Sequence, residues 1–279
     1  MGNYLRPSDL ADALTALNRG GLTVIAGGTD FYPARVERAA QEDVLDISGL
    51  SELRRIEIMP RYVRIGAGVT WSDLMQADLP ASFDGLKLAA REIGGIQIQN
   101  TGTLVGNVCN ASPAADGLPN LIALDAEVEL ASLDGRRQMP VAEFVIGNRK
   151  TNRRPDELVT ALLVPGTAGD ARSSFLKLGG RKYLIISIVM VAAVIEIAHD
   201  RVERAGIAVG ACSEIARRLP ALEAALAGQP LGSSLAAAVR PEHLSQLTPI
   251  DDLRATAAYR RQAALVLLRR SLSKLGSAA

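Results

Sequence analysis

The stretch Gln97–Asp116, which reads QIQNTGTLVGNVCNASPAAD, constrains the fold of this chain more than any other segment. It lies between apolar runs, yet it consists mostly of small and polar residues and contains neither lysine nor arginine. Such a segment fills a core poorly, so the rest of the chain has to pack around it. Its glycines allow close backbone approach, and backbone N–H groups bind polar ligands without charged side chains. We therefore predict that this stretch lines a site for a polar ligand.

A second glycine-rich turn is Ile25–Asp30, which reads IAGGTD after an apolar strand. Consecutive glycines let neighbouring N–H groups point into one concave nest, which binds pyrophosphate without a lysine. In 97–116, the residues 101–103 and 106–107 supply further N–H groups and hydroxyls, and Asp116 is expected to face sugar hydroxyls because it would repel phosphate. An ordinary turn and a polar linking loop are the alternatives for the two segments. Together they favour a clamp on an extended, phosphate-bearing ligand.

The triplet Gly66–Gly68 resembles the start of a dinucleotide-binding pattern, but that pattern requires a third glycine where Trp71 stands. It also precedes no convincing parallel βαβ unit. We interpret the triplet as a packed turn before a helix.

Composition excludes several classes of protein. The net charge is +1, with 31 basic and 30 acidic residues, so no excess of positive charge exists to bind nucleic acid. Two cysteines, Cys109 and Cys212, are too few for an iron–sulfur cluster, and with only His199 and His243 beside them no metal site is expected. Both cysteines are predicted to be buried free thiols in a reducing compartment.

Neither a signal peptide nor a membrane span is expected. The N-terminal residues include no apolar stretch of the kind that signal peptides have. The run Tyr183–Ala198 has 16 residues and includes Glu196, whereas a spanning helix needs about 20 apolar residues. We predict a buried helix-to-strand segment there and a cytoplasmic protein.

The chain of 279 residues is too long for one ordinary core, and Gly166–Asp170 is the best boundary by composition. Before it, we expect a small α/β unit over about the first 60 residues and then a mostly antiparallel α+β block. The predicted elements of this part are a helix capped by Ser8, strands Leu22–Ala26 and Val44–Ile47, a hairpin of Leu53–Ile58 and Tyr62–Ile65, a helix from Thr70 to Leu74, helices Leu86–Ile93 and Pro119–Leu124, and strands Glu127–Ala131, Gln138–Pro140 and Leu158–Val164.

Beyond the boundary, the pattern predicts strands followed by helices. The predicted elements are strands Val189–Ile197 and Arg204–Ala211, short helices Pro220–Ala227 and Ser233–Val239, and a long amphipathic helix Tyr259–Leu275 with Arg260, Arg261, Arg269 and Arg270 on its solvent side.

Six segments carry a resemblance to a known family, in the family's order and across nearly the whole chain. They are VIAGGTD at 24–30, IGAGVTWSDL at 65–74, IQNTGTLVGNVCNASPAAD at 98–116, NRKTNRRPDELVTALLVP at 148–165, FLKLGGRKY at 175–183 and DDLRATAAYRRQAALVLL at 251–268. The chain resembles the FAD-binding medium subunit of the molybdenum hydroxylases, the family of xanthine dehydrogenase and carbon monoxide dehydrogenase.

The resemblance implies an α+β fold in three parts. A small α/β subdomain of about 1–60 and an antiparallel α+β subdomain of 61–168 together form an FAD-binding domain of the PCMH/VAO type. A C-terminal domain, 169–279, of the CO dehydrogenase flavoprotein type follows, with antiparallel strands and a helix bundle.

The resemblance also implies the site residues. Ala26–Thr29 and Thr103–Gly106 would hold the pyrophosphate and ribityl parts of an extended FAD, Ile93 and Val159 would flank the flavin ring, and Lys177 would approach it. The implied cofactor-binding residues are Val24, Ile25, Ala26, Gly27, Gly28, Thr29, Asp30, Ile93, Gly102, Thr103, Gly106, Asn107, Cys109, Ala111, Ser112, Asp116, Val159 and Lys177. No catalytic acid, base or nucleophile and no metal ligand is implied on this chain.

Four residues depart from the family's pattern. Val105 stands where the first of two paired glycines is usual, which loosens the backbone approach expected there. Gln99 replaces a common arginine, and Ile185 and Ile186 fall near positions where many relatives have Asp and Tyr beside the flavin.

The implied function is electron transfer in a heterotrimer. A large partner subunit would carry the molybdenum cofactor and hydroxylate an aldehyde or an N-heterocycle, and a small partner would carry two [2Fe–2S] clusters. This chain would pass electrons through FAD to NAD⁺, O₂ or another acceptor, and a dimer of heterotrimers is one arrangement open to it. Arg181, Lys182, Arg260 and Arg261 would either meet partners or be solvated. A stand-alone flavin oxidoreductase of the PCMH type and a flavin-free assembly subunit are the alternatives.

Overall fold

The computed structural model of the protein describes residues 2–35, 41–167 and 169–277. Its α-helices are α1 (Leu10–Asn18), α2 (Trp71–Gln76), α3 (Asp84–Glu92), α4 (Ile96–Thr101), α5 (Leu104–Asn110), α6 (Gly117–Ala123), α7 (Val141–Phe144), α8 (Pro220–Leu226), α9 (Ser233–Ala237) and α10 (Ala257–Ser277). Its strands are β1 (Tyr4–Leu5), β2 (Leu22–Ile25), β3 (Asp43–Asp46), β4 (Ile56–Ile58), β5 (Tyr62–Gly66), β6 (Glu127–Ser132), β7 (Gly135–Pro140), β8 (Val145–Gly147), β9 (Lys150–Thr151), β10 (Leu158–Pro165), β11 (Asp170–Leu178), β12 (Val189–Ala198), β13 (Arg201–Gly210) and β14 (Arg217–Arg218).

The first sheet is a small parallel one, with strand order β1-β3-β2. Helix α1 packs on it through Ala13, Leu14 and Leu17, which are buried. The predicted N-cap Ser8 is wrong by one residue, because the carboxylate of Asp9 accepts the hydrogen bond from Asp12 N at 2.9 Å. Because all three strands run in the same direction, their carboxyl ends meet at one edge of the sheet. The glycine pair that follows β2 therefore lies at this edge.

The second sheet is antiparallel, with strand order β4-β5-β10-β6-β7. The predicted hairpin of β6 and β7 is confirmed, with register Glu127 opposite Pro140. Helix α2 begins after Thr70 with a full capping box, in which Thr70 and Asp73 bond each other's backbone N–H groups. The turn before it is packed as predicted, since a Cβ on Gly66 would lie 2.1 Å from the carbonyl oxygen of Leu53.

The third sheet is antiparallel, with strand order β11-β12-β13-β14, and it divides two cores. In β12, Met190 and Ala192 face the core shared with the first two sheets. Val191 and Ala193 face a second core that is closed by α8, α9 and α10. Burial on both faces explains why this strand is almost entirely apolar, with Glu196 as its one charged residue.

The predicted burial of the whole run Tyr183–Ala198 is wrong at its start. Tyr183, Leu184 and Ile186 are exposed, and the strand begins only at Val189. Arg181 donates to the carbonyl oxygens of Tyr183 and Leu184, so this loop is held by its own hydrogen bonds and lies outside both cores. Across the described ranges, no helix has both the length and the apolar character of a membrane-crossing helix.

The prediction that Arg260 lies on the solvent side of the last helix is also wrong. Arg260 is 3% exposed, and its guanidinium donates to the carbonyl oxygens of Ile188 and Ala211 and to the carboxylate of Asp252. These carbonyls lie next to the ends of β12 and β13, where the ladder no longer supplies donors. The buried arginine therefore fastens α10 to the third sheet. The mixture of helices and mainly antiparallel sheets confirms the predicted α+β class.

Candidate functional site

A cleft of about 580 Å³ opens between the first sheet and the helices α4 and α5. One wall is the segment 22–31, which includes β2 and the glycine pair, and the facing wall is formed by residues of 102–110. Leu158 and Val159 of β10 line it as well. A cleft of this size lies in the range of roughly 300–1,000 Å³ that is typical of small-molecule and cofactor sites.

The two glycine-rich segments touch each other directly. A Cβ on Gly27 would lie 1.9 Å from the carbonyl oxygen of Thr101, so only glycine permits this approach. Gly28 has φ +65°, in the left-handed region, which turns the chain sharply after β2. No residue of the described ranges accepts a hydrogen bond from the N–H groups of Gly27, Gly28 or Thr29. The turn thus presents three consecutive free donors, as an anion-binding nest does.

The segment 97–116 is mainly helical, so it is not the polar linking loop that was the alternative interpretation of it. It forms α4 and α5, with a break at Gly102 and Thr103. The hydroxyl of Thr103 caps α5 by accepting from Gly106 N at 2.9 Å, which takes up the Gly106 donor. Threonine at this position is a strong N-cap, and it converts a glycine-bearing stretch into a short helix.

Val105 does not obstruct the cleft, although the family's pattern favours glycine at its position. Val105 is 3% exposed and packs in the core shared by the first two sheets. Its N–H finds no acceptor among the residues that the structure describes. The N–H of Val105 is therefore one further backbone donor beside the cleft.

The structure brings most of the predicted site residues to this cleft. Those that line it are Val24, Ile25, Ala26, Gly27, Gly28, Thr29, Asp30, Ile93, Gly102, Thr103, Gly106, Asn107, Cys109 and Val159. Those that do not line it are Ala111, Ser112, Asp116 and Lys177. Cys109 is exposed in the cleft wall, so its predicted burial is wrong, whereas Cys212 is buried as expected.

Asp116 and Lys177 form a separate buried cluster. Lys177 Nζ lies 2.6 Å from Asp116 Oδ2, and Ser187 Oγ donates to Asp116 Oδ1 at 2.5 Å. Asp116 is 4% exposed, and burial raises the pKa of its carboxyl although Lys177 and Ser187 act to lower it. The cluster joins the residue before α6 to the third sheet, so its partners lie far apart in sequence.

Three arginines line the cleft although they were not predicted from the sequence to do so. They are Arg35, Arg149 and Arg153. Arg35 pairs with Glu42 and stacks on the ring of Phe31 at 3.7 Å. Arg153 donates to the carbonyl oxygen of Glu157 at 2.6 Å. The dense basic run 148–154 is a sequence feature that could have pointed to Arg149 and Arg153. The local sequence, however, does not show that this hairpin folds back onto the cleft.

Two family models together match nearly the whole chain. The model described as FAD binding domain in molybdopterin dehydrogenase matches residues 1–167, and the model described as CO dehydrogenase flavoprotein C-terminal domain matches residues 174–275. The chain belongs to this family. It is therefore an FAD-binding medium subunit of the molybdenum hydroxylase type and an oxidoreductase subunit.

Similar proteins match this FAD-binding subunit over nearly their full length. The nicotine 6-hydroxylase medium subunit of Paenarthrobacter nicotinovorans is 30% identical over 278 residues, 98% of this chain and 97% of its own length. The glyceraldehyde dehydrogenase medium chain of Sulfolobus acidocaldarius is 30% identical, with 98% of each chain covered. In the solved structure of reconstituted CO dehydrogenase from Oligotropha carboxidovorans, a chain matches with a TM-score of 0.92 at 26% identity, covering 100% of this chain and 99% of that one.

The chemistry of the cleft fits FAD. The pyrophosphate of FAD is an anion that hydrogen-bonds to N–H groups, and the free donors of 27–29 offer a nest for it. The apolar side chains of Ile93, Leu158 and Val159 in the same cleft offer contacts for an aromatic ring system. Arg149 and Arg153 add positive charge that the glycine segments themselves lack.

Proposed function

We propose that this FAD-binding subunit relays electrons inside a multi-subunit molybdenum hydroxylase. It takes electrons from [2Fe–2S] clusters of a small partner and passes them to NAD⁺, O₂ or another acceptor. A large partner with the molybdenum cofactor hydroxylates an aldehyde or an N-heterocycle. Two relatives support this, since they are the medium subunits of a nicotine hydroxylase and of a glyceraldehyde dehydrogenase.

The observation that carries the proposal is the joint lining of one cleft by both glycine-rich segments. Gly27 meets Thr101 backbone to backbone, and the free N–H groups of 27–29 face no other acceptor in the described chain. We propose that these donors hold the pyrophosphate, and that Ile93 and Val159 flank the ring. The proposed residues that line the cleft are Val24, Ile25, Ala26, Gly27, Gly28, Thr29, Asp30, Ile93, Gly102, Thr103, Gly106, Asn107, Cys109 and Val159. The proposed set also includes Ala111, Ser112, Asp116 and Lys177, which do not line the cleft.

The role of this chain's residues is to bind, orient and tune the cofactor. Bound FAD accepts electrons singly and releases them in pairs, so it connects one-electron clusters to a hydride acceptor. The chain supplies fixed N–H donors on one wall of the cleft and helix α5, capped by Thr103, on the other. We propose that the domain of 1–168 holds FAD and that 169–279 forms a separate C-terminal domain. The residue at that boundary, Ala168, lies outside the described residues.

We also propose the setting in which the subunit works. It assembles with the large molybdenum-cofactor subunit and the small [2Fe–2S] subunit, and two such heterotrimers form a dimer in the cytoplasm. The exposed residues Arg181 and Lys182 offer one charged surface for a partner, whereas Arg260 is buried and does not.

The test compares the activity of the assembled complex with and without FAD in this subunit. Panels of aldehydes and purines identify an oxidisable substrate, and reduction of NAD⁺ and of O₂ is measured beside a dye that oxidises iron–sulfur clusters directly. We expect removal of FAD to abolish reduction of the physiological acceptor and to leave dye reduction intact. Acceptor reduction that is unchanged without FAD would contradict the proposal.

Replacing Gly106 with valine should lower FAD occupancy while the chain stays folded. A Cβ at this position would lie 2.8 Å from Thr103 Oγ1, which caps α5 through the Gly106 N–H. Loss of the cap contact costs about 1 kcal/mol of stability. FAD per chain after gel filtration is the measurement, and undiminished FAD content would show that Gly106 does not border the cofactor.

A further inference from the structure

One arginine crosses the mouth of the cleft and joins its two walls. Arg149 Nη1 donates to Asp30 Oδ2 at 2.8 Å and to Asn110 Oδ1 at 2.5 Å. Asp30 follows the glycine turn after β2, and Asn110 is the last residue of α5. The bridge therefore spans the two segments that we assign to the cofactor, and it comes from a third element.

The backbone of Arg149 is held in a conformation that arginine rarely adopts. The residue lies between β8 and β9 with φ +54°, in the left-handed region, and its N–H donates to the carbonyl oxygen of Ala111 at 2.9 Å. A side chain in this region carries a conformational cost that glycine avoids. Strain of this kind persists where the surroundings impose it, and it is enriched at functional sites and ligand clamps.

The bridge contributes little to the stability of the fold, because both side chains are exposed to solvent. The side chain of Arg149 is 58% exposed and that of Asp30 is 52% exposed. Ion pairs with such exposure are screened by solvent and salt and stabilise a fold only weakly. Moreover, Nε and Nη2 of Arg149 have no acceptor among the described residues, so these guanidinium N–H groups remain free to bind an anion.

We propose that Arg149 is a positioning residue that closes the cleft over bound FAD. By holding Asp30 against Asn110, it restrains the opening through which the cofactor leaves, and its remaining N–H groups attract the anionic part of the cofactor. The bridge thus governs the rate of FAD dissociation more than the stability of the fold. This inference rests on the proposed FAD site.

The variant Arg149→Gly separates this role from a structural one. Glycine adopts the left-handed backbone conformation without strain, and it removes the side chain. The unfolding temperature of the FAD-free protein should therefore stay level or rise. Dissociation of FAD from the full chain, followed by flavin fluorescence with excess apoflavoprotein as a trap, should become about fivefold faster. Arg149→Lys retains the positive charge but lacks the branched guanidinium group. Its rate of FAD dissociation should lie between those of the wild type and Arg149→Gly. High salt should speed dissociation from the wild type more than from Arg149→Gly.

The matched control is Arg136→Ala. Arg136 is an arginine of similar exposure, 56%, that pairs with Glu129 at 3.5 Å and does not line the cleft. Its replacement should leave FAD dissociation unchanged. In an Asp30→Asn background, Arg149→Gly should have a smaller effect than in the wild type, because one end of the bridge is already lost.

The outcomes distinguish this inference from the proposed function. A wild type that binds no FAD overturns both. A wild type that holds FAD, with Arg149→Gly and Arg149→Lys releasing it at the wild-type rate, overturns the bridge alone. Equal effects of Arg149→Gly with and without Asp30→Asn also overturn it. Faster release with the control unchanged and the unfolding temperature maintained supports it.

Discussion

Replacing Gly27 with alanine should reduce FAD affinity by about tenfold or more, because a single methyl group forces the two walls of the cleft apart. The new Cβ would lie 1.9 Å from the carbonyl oxygen of Thr101 and 2.5 Å from its carbonyl carbon. Both are backbone atoms at the end of α4, so no flexible side chain can yield. Overpacking of this kind typically costs about 1–3 kcal/mol. Titration of the apoprotein with FAD, followed by flavin fluorescence, measures the effect.

The matched control for this prediction is Gly180→Ala. Gly180 lies in the loop before β12, and a Cβ there would have no heavy atom within 4 Å. It should therefore retain wild-type affinity for FAD. If Gly27→Ala binds FAD as tightly as this control does, the direct contact between the glycine turn and α4 does not shape the cofactor site.

Replacing Lys177 with methionine should destabilise the fold by about 3 kcal/mol near neutral pH, because it leaves a buried carboxylate without its cation. Asp116 is 4% exposed, and Lys177 Nζ lies 2.6 Å from its Oδ2. Only the hydroxyl of Ser187 would remain as a partner. Urea unfolding of the apoprotein measures the loss. The exposed Lys182, replaced in the same way, should change stability little.

The deficit of Lys177→Met should depend on pH in a defined direction. Burial raises the pKa of Asp116, and removal of Lys177 takes away the strongest interaction that lowers it. A group whose pKa is raised in the folded state contributes stability at low pH and loses that contribution as the pH rises through the folded value. The gap between variant and wild type should thus widen towards about pH 8 and narrow towards about pH 5.

The double variant Asp116→Asn with Lys177→Met distinguishes a buried charge from lost packing. If the unpaired carboxylate is the cause, the double variant should recover most of the stability and lose its pH dependence. A double variant as unstable as Lys177→Met at every pH would assign the loss to packing instead.

Much of the fold was predictable because its elements carry strong local patterns. Strand β12 is an apolar run that only Glu196 interrupts, and the hairpin of β6 and β7 alternates around Asp134–Gly135. Helix α10 keeps a helical periodicity over a long stretch. By contrast β11, which reads DARSSFLKL, has no regular alternation, and it was not predicted. Its pairing with β12 supplies the order that its own sequence lacks.

The candidate site was predictable in composition but not in geometry. The glycines at 27–28 and 102 could be identified from residue type. The helical state of 104–110 could not, since it depends on packing of Val105 and Val108 in the core. The burial of Arg260 and the bridge of Arg149 depend on carbonyl and carboxylate partners far away in the sequence, which no local pattern encodes.

The central claim is that FAD occupies the cleft between the glycine turn after β2 and the helices α4 and α5. A structure determined for the chain purified with FAD tests it most directly. We expect the pyrophosphate within hydrogen-bond distance of the N–H groups of Gly27, Gly28 and Thr29, and one FAD per chain. A cofactor bound elsewhere, or a chain that binds no FAD, would contradict the account.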